Sequence, residues 1–196
     1  MGSLRVPAAR RTGAQHRVGG VFFATELPDL TEYRSLFTRS LLSLWQAYYA
    51  NDTEVSNLME DLHNFDCLLS AETRWSTGRV LADVLISGLW VNHIVWHSLC
   101  LQAVIDTEEL GSIMREAFRL GVLLYLAEIR RQFGVYPVLM QIHMSKLKGL
   151  LQSSGISWRC FTPLKLWVVV MALIEAKASE DKAWFASQIS VLTKEL

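Results

Sequence analysis

The 196 residues suit one large domain, and a chain of that length buries roughly 70 % of its unfolded surface on folding. Hydrophobic residues make up 51 % and charged residues 19 %, so most elements are expected to pack on more than one side. Lysine plus arginine, at 19, equals aspartate plus glutamate. The zero net charge excludes the chain as a whole from binding nucleic acid by charge alone, which needs a positive surplus.

Residues Met1 to Gly20 carry Arg5, Arg10, Arg11 and Arg17 with no acid, and residues 1–30 read as a disordered basic arm. Such an arm can touch nucleic acid or serve as a nuclear address, but the arginines are scattered rather than clustered, and a solvated terminus explains them. No apolar h-region precedes Val21, so a secretory signal is not expected. The three cysteines, Cys67, Cys100 and Cys160, form no C-x-x-C pair. They read as buried free thiols of a reducing compartment rather than a disulfide framework.

From residue 31 onward a 3–4 spacing of apolar residues predicts about seven helices, and so an all-α fold in a single domain over 31–196. The first stripe is Leu36, Phe37, Leu41, Leu44, Trp45, Tyr48 and Tyr49. Asn51-Asp52 ends it and offers a cap to the next, which runs Val55, Leu58, Met59, Leu62, Phe65, Leu68 and Leu69. Gly78 interrupts, and an apolar helix follows from Val80 to about Val104. Asp106 with Glu109 reads as a capping box for a helix to Phe133, whose last turn holds Arg130 and Arg131 against the negative end of the dipole. Gly134 and Pro137 end it. A fifth helix uses Val138, Ile142, Leu147, Leu150 and Leu151 and stops at Gly155. Thr162-Pro163 reads as an N-cap with an N1 proline. The helix they open is apolar almost all round to Ile174, which predicts a central position. Ser179, Glu180 and Asp181 start the last helix, through Trp184, Phe185, Ile189 and Leu192. Strand alternation and fixed-period repeats are absent. Trp167 and Trp184 are expected to be structural, since large rings fill interiors.

Between Arg79 and Asp106 the one full charge is Asp83, and the stretch is weighed as a membrane span, which needs about 20 mostly apolar residues. Ser87, Asn92, His93, His97, Ser98 and Gln102 interrupt it, which favours a buried helix.

Candidate chemistry fails for want of partners. His93 and His97 stand four apart, so both can meet one metal on a helix face. A zinc-protease motif also needs glutamate beside the first histidine, where Ile94 stands, and a third ligand at recognisable spacing is missing. Glu60 and His63 form a single Glu-x-x-His, whereas di-iron bundles need two such motifs and two more glutamates. The sequence holds no G-x-S-x-G elbow, P-loop or G-x-G-x-x-G. Glu108-Glu109 and Glu180-Asp181 read as first-turn acids at the positive end of a helix dipole. Arg10-Arg11 and Lys146/Lys148 lack the aromatic interleaving of a base-stacking platform. The residues therefore predict no catalytic site, no cofactor and no metal.

Two segments carry a more specific pattern. One is Arg115-Glu116-Ala117-Phe118-Arg119-Leu120-Gly121-Val122-Leu123-Leu124-Tyr125-Leu126-Ala127, continuing to Arg130-Arg131-Gln132-Phe133-Gly134. The other is Pro163-Leu164-Lys165-Leu166-Trp167, then Ile174-Glu175-Ala176 and Ala183-Trp184-Phe185. In this order they resemble the C-terminal half of the fungal-specific transcription factor domain, over roughly residues 107–196. That resemblance implies a non-enzymatic regulatory domain in the nucleus (the cytoplasm is the alternative) that works through protein partners, self-association or an effector. The family's DNA contact resembles a module of six closely spaced cysteines holding two zinc ions. Three scattered cysteines cannot build it, so sequence-specific DNA binding by this chain alone is not expected. Two other readings stand beside this one. The first is a helical lyase or cyclase, although no Asp-Asp-x-x-Asp cluster occurs. The second is a membrane-associated helical protein built on residues 79–106.

Overall fold

In the computed structural model the residues described are 30–73, 89–101, 110–132, 135–137, 139–153 and 157–194. The chain divides into two units, Met1–Leu30 and Thr31–Leu196. The expected basic arm lies outside the described residues, as do Gly78, the Asp106–Glu109 capping box, Gly134 and Gly155. Seven α-helices and no strand occur among the described residues, so the fold is all-α. They are α1 (Leu30–Tyr48), α2 (Thr53–Thr73), α3 (Leu89–Cys100), α4 (Leu110–Gln132), α5 (Met140–Ser153), α6 (Thr162–Glu175) and α7 (Ser179–Leu192). A short 3₁₀ turn, Arg159–Phe161, leads into α6.

The helix ends follow local chemistry in some places and not in others. Asp52 caps α2 as expected, its Oδ1 accepting from the Val55 amide at 3.2 Å. Arg130 and Arg131 occupy the last turn of α4, and Glu180 and Asp181 the first turn of α7. Thr162 departs from expectation. Its hydroxyl donates back to the Arg159 carbonyl at 2.7 Å and its backbone is already helical. The 3₁₀ turn has taken over the start of α6, and Thr162 does not cap it. Pro163 still occupies the first turn, where a missing N–H costs nothing.

Among the described helices α4 is the most deeply buried, with α6 packed along it. Every residue from Ala117 to Ala127 is buried, and α4 packs against α3, α5 and α6. The residues of α6 are apolar almost all round, which predicts a central place for it; α6 does pack against α4, α5, α7 and the 3₁₀ turn, but it leaves Ile174 39 % exposed. The apparent obstacle to burying α4 is Arg119. Glu116 removes it by accepting two bonds at 2.7 Å from the Arg119 guanidinium, so the pair enters the interior satisfied. At Gly121 side chains of α6 press against the α4 backbone. A Cβ there would stand 2.7 Å from Val168 Cγ1 and 2.8 Å from Trp167 Cζ3.

Polar ties cross between helices as well. Tyr125 Oη donates to the buried Asp66 carboxylate at 2.5 Å, joining α4 to α2. Arg131 pairs with Glu128 at 2.8 Å and with the buried Glu175 on α6. Arg115 pairs with Asp52 at 3.0 Å and with Glu54. Among the described residues no helix is long and apolar enough to cross a membrane. Of the 79–106 stretch weighed as a span, 89–101 is described.

Candidate functional site

Helix register puts His93 and His97 on one face of α3, because residues four apart lie one turn above another. Their ring centroids are 6.2 Å apart. Helix α2 packs against α3 and brings Asp61 to that face. Asp61 Oδ2 lies 3.0 Å from His97 Nδ1 and 3.5 Å from His93 Nε2. One potential ligand atom from each of the three residues lies within 4.8 Å of the others. The group opens into a cleft of about 450 Å³ whose walls include Asn57, Glu60, Trp96 and Cys100. Sequence spacing offers the histidine pair but not the carboxylate, which comes from 36 residues before His97. The stripe Leu58, Met59, Leu62, Phe65 fixes the buried face of α2, and so turns Asp61 toward the rim. That signal shows where Asp61 sits on its own helix, but not which helix it faces.

The other sequence candidates disperse. His63 faces α1, its Nδ1 standing 3.1 Å from Thr38 Oγ1 and its Nε2 3.7 Å from Cys67 Sγ. Glu60 lies exposed on the wall of the Asp61 cleft. Asp181 accepts from Lys148 Nζ at 2.6 Å, so it ties α7 to α5 in addition to meeting the dipole. Lys148 also sits over the Trp184 ring at 5.6 Å. Lys146 is exposed, and Glu108-Glu109 and Arg10-Arg11 lie outside the described residues. The cysteines are free, as expected, but all three are exposed rather than buried. Cys67 and Cys100 fall on outward helix faces and Cys160 on the 3₁₀ turn.

His143 on α5 marks a second polar locus that sequence reading missed. Its Nδ1 is buried without a hydrogen-bond partner among the described residues. Burial lowers its affinity for a proton below the ordinary value of 6.5, and the charges of Arg119 and Lys146 lower it further, against an opposing pull from Glu116. Between 6.5 and the lower folded value the unfolded chain holds the extra proton. His143 therefore contributes stability that is complete above pH 6.5 and declines as pH falls below it. His143→Gln is expected to flatten this part of the pH profile. Urea midpoints taken from pH 7.5 down to about pH 5 check it, and an unchanged slope in the variant would contradict it.

Several described apolar residues at and just before the start of α5 are exposed. Tyr136 is 76 % exposed, Leu139 64 % and Ile142 48 %. Leu139 also has φ of 69°, a left-handed conformation that costs a side-chain-bearing residue about 1–2 kcal/mol.

No family model matches this sequence, and comparison with curated proteins and with solved structures gives no match either.

Proposed function

We propose that this helical unit is a regulatory domain, of the kind found in fungal transcription factors, that acts by contact with protein partners. One observation carries the reading: the exposed apolar side chains of Tyr136, Leu139 and Ile142, the leucine held at positive φ. Strain kept in an outward-facing leucine serves no packing role, and strained positions gather where a surface has work to do. Exposed aromatic and aliphatic side chains in one segment are what protein contacts use. The narrowness of one interior gap fits the same reading. The gap between Phe37, Leu41, Met59, Leu62, Phe118 and Trp167 is too narrow for a water molecule, so a small effector has no room there. The resemblance over residues 107–196 supplies the transcriptional setting.

Two measurements test this reading. Fused as a full chain to an unrelated DNA-binding domain, the protein should change reporter output relative to that domain alone. Equal output across several growth conditions would contradict the proposal. Unfused, the chain should give no sequence-selective complex in gel shifts at physiological salt. Any residual affinity should fall steeply with salt and vanish when residues 1–20 are deleted. A selective, salt-resistant complex would contradict the claim that the chain works through protein contacts.

A further inference from the structure

The geometry points to a binding site for one divalent transition-metal ion, zinc by preference, held by Asp61 of α2 together with His93 and His97 of α3. A hydrogen bond accounts for part of the cluster, since His97 Nδ1 at 3.0 Å is placed to donate to Asp61 Oδ2. It does not account for His93. Its Nε2 approaches the same oxygen at 3.5 Å, beyond the usual N–H···O range, although its side chain is 63 % exposed and water is free to solvate it elsewhere. Three donor atoms converge on one point without enough hydrogen bonds to explain why.

A cation explains the spacing. Zinc binds imidazole nitrogen at about 2.0–2.1 Å and carboxylate oxygen at about 2.0–2.2 Å, so two ligands of a tetrahedral ion stand about 3.3 Å apart. The Asp61–His97 and Asp61–His93 separations of 3.0 and 3.5 Å bracket that value. The histidine nitrogens, within 4.8 Å of each other, need to close by at most about 1.5 Å to meet it. Rotation about the side-chain torsions of the exposed His93 supplies that movement. Two imidazoles and a carboxylate suit zinc, nickel or cobalt and disfavour calcium and magnesium, which take oxygen ligands. Glu60 beside the cluster adds negative potential at its rim. Three protein ligands leave one position of a four-coordinate ion for water, and the cleft of about 450 Å³ gives that position access to solvent. The bound ion would clip α2 to α3 across their 36-residue separation and stabilise the folded state by mass action.

The test uses the purified full chain, stripped with chelator and desalted. Zinc chloride titrated by calorimetry should bind at one equivalent and raise the melting temperature. His93→Ala, at a side chain 63 % exposed, and Asp61→Asn should each weaken binding by more than about tenfold, the loss that even outer-shell changes cause. Circular dichroism of both variants should match the parent. His16→Ala, in the arm, should bind as the parent does. Cobalt(II) should give visible bands of a nitrogen- and oxygen-ligated ion. Binding that survives in both His93→Ala and Asp61→Asn would overturn the proposal. So would intense thiolate charge-transfer bands, which would assign the ion to the exposed cysteines, or failure of zinc to saturate the parent protein.

Discussion

Replacing Trp45 with alanine is expected to destabilise the domain by about 3–5 kcal/mol, the usual cost of losing a core aromatic together with the cavity it leaves. Trp45 is fully buried. Its ring centroid lies 4.6 Å from that of Tyr49 and 5.7 Å, edge-on, from that of Phe161, so the residue joins α1 to the 3₁₀ turn before α6. Trp45→Phe should lose much less. It keeps an aromatic ring in place and removes an indole N–H that is buried without a partner among the described residues, a group that costs free energy while unsatisfied. Trp167→Ala and Trp184→Ala should also melt lower, but by less than Trp45→Ala, because both side chains are only partly buried. Urea unfolding of the four variants gives the order directly. A larger loss at Trp184 than at Trp45 would contradict the packing described.

At Gly121 two effects of opposite sign compete, and their sizes decide the outcome. Alanine in a helix interior gains about 1 kcal/mol over glycine. Against this, the new Cβ meets Val168 Cγ1 at 2.7 Å and Trp167 Cζ3 at 2.8 Å. Neither neighbour can retreat easily. Val168 is fully buried, and the Trp167 ring is in contact with Phe118 and Tyr125, with centroids 6.0 and 6.1 Å away. Overpacking of this kind costs typically 1–3 kcal/mol, so Gly121→Ala should be destabilising on balance. Gly121→Val places two more methyls at the same contact than alanine does and has lower helix propensity than alanine, and should cost about 3 kcal/mol or more. Gly149 on α5 has nothing within 4 Å of a Cβ, and Gly149→Ala should stabilise by about 1 kcal/mol. Calorimetric melts of the three variants test the account, which a stabilising Gly121→Val would contradict.

Much of this fold is legible in the sequence because helical periodicity is local. The stripe from Val55 to Phe65 and the one from Phe37 to Trp45 name their own buried faces. What local pattern could not convey is the ranking of helices by depth. The residues of α6 are more apolar than those of α4, yet α4 is the more deeply buried, because Arg119 is neutralised by a partner one turn away and Gly121 lets α6 come close. Thr162 shows the same limit at a helix end, where the 3₁₀ turn before it took over the role expected of its hydroxyl. The candidate site divides along the same line. His93 and His97 are paired by helix register and so can be read directly. Asp61 joins them only through the packing of α2 on α3, which spacing along the chain does not encode. The exposed cysteines and the strained Leu139 also depend on which face meets solvent once the bundle has formed.

The regulatory reading is tested most directly by removing the exposed apolar side chains of the α4–α5 connection without disturbing the bundle. Tyr136→Ser combined with Leu139→Gly does this, since glycine adopts the φ of 69° found at Leu139 without steric cost. Neither side chain contributes to the core, so the melting temperature should not fall. With the full-length chain fused to an unrelated DNA-binding domain, the double variant should bring reporter output back to that of the DNA-binding domain alone, at unchanged protein level. Reporter output equal to that of the unmodified fusion would contradict the claim that this surface carries the regulatory contact.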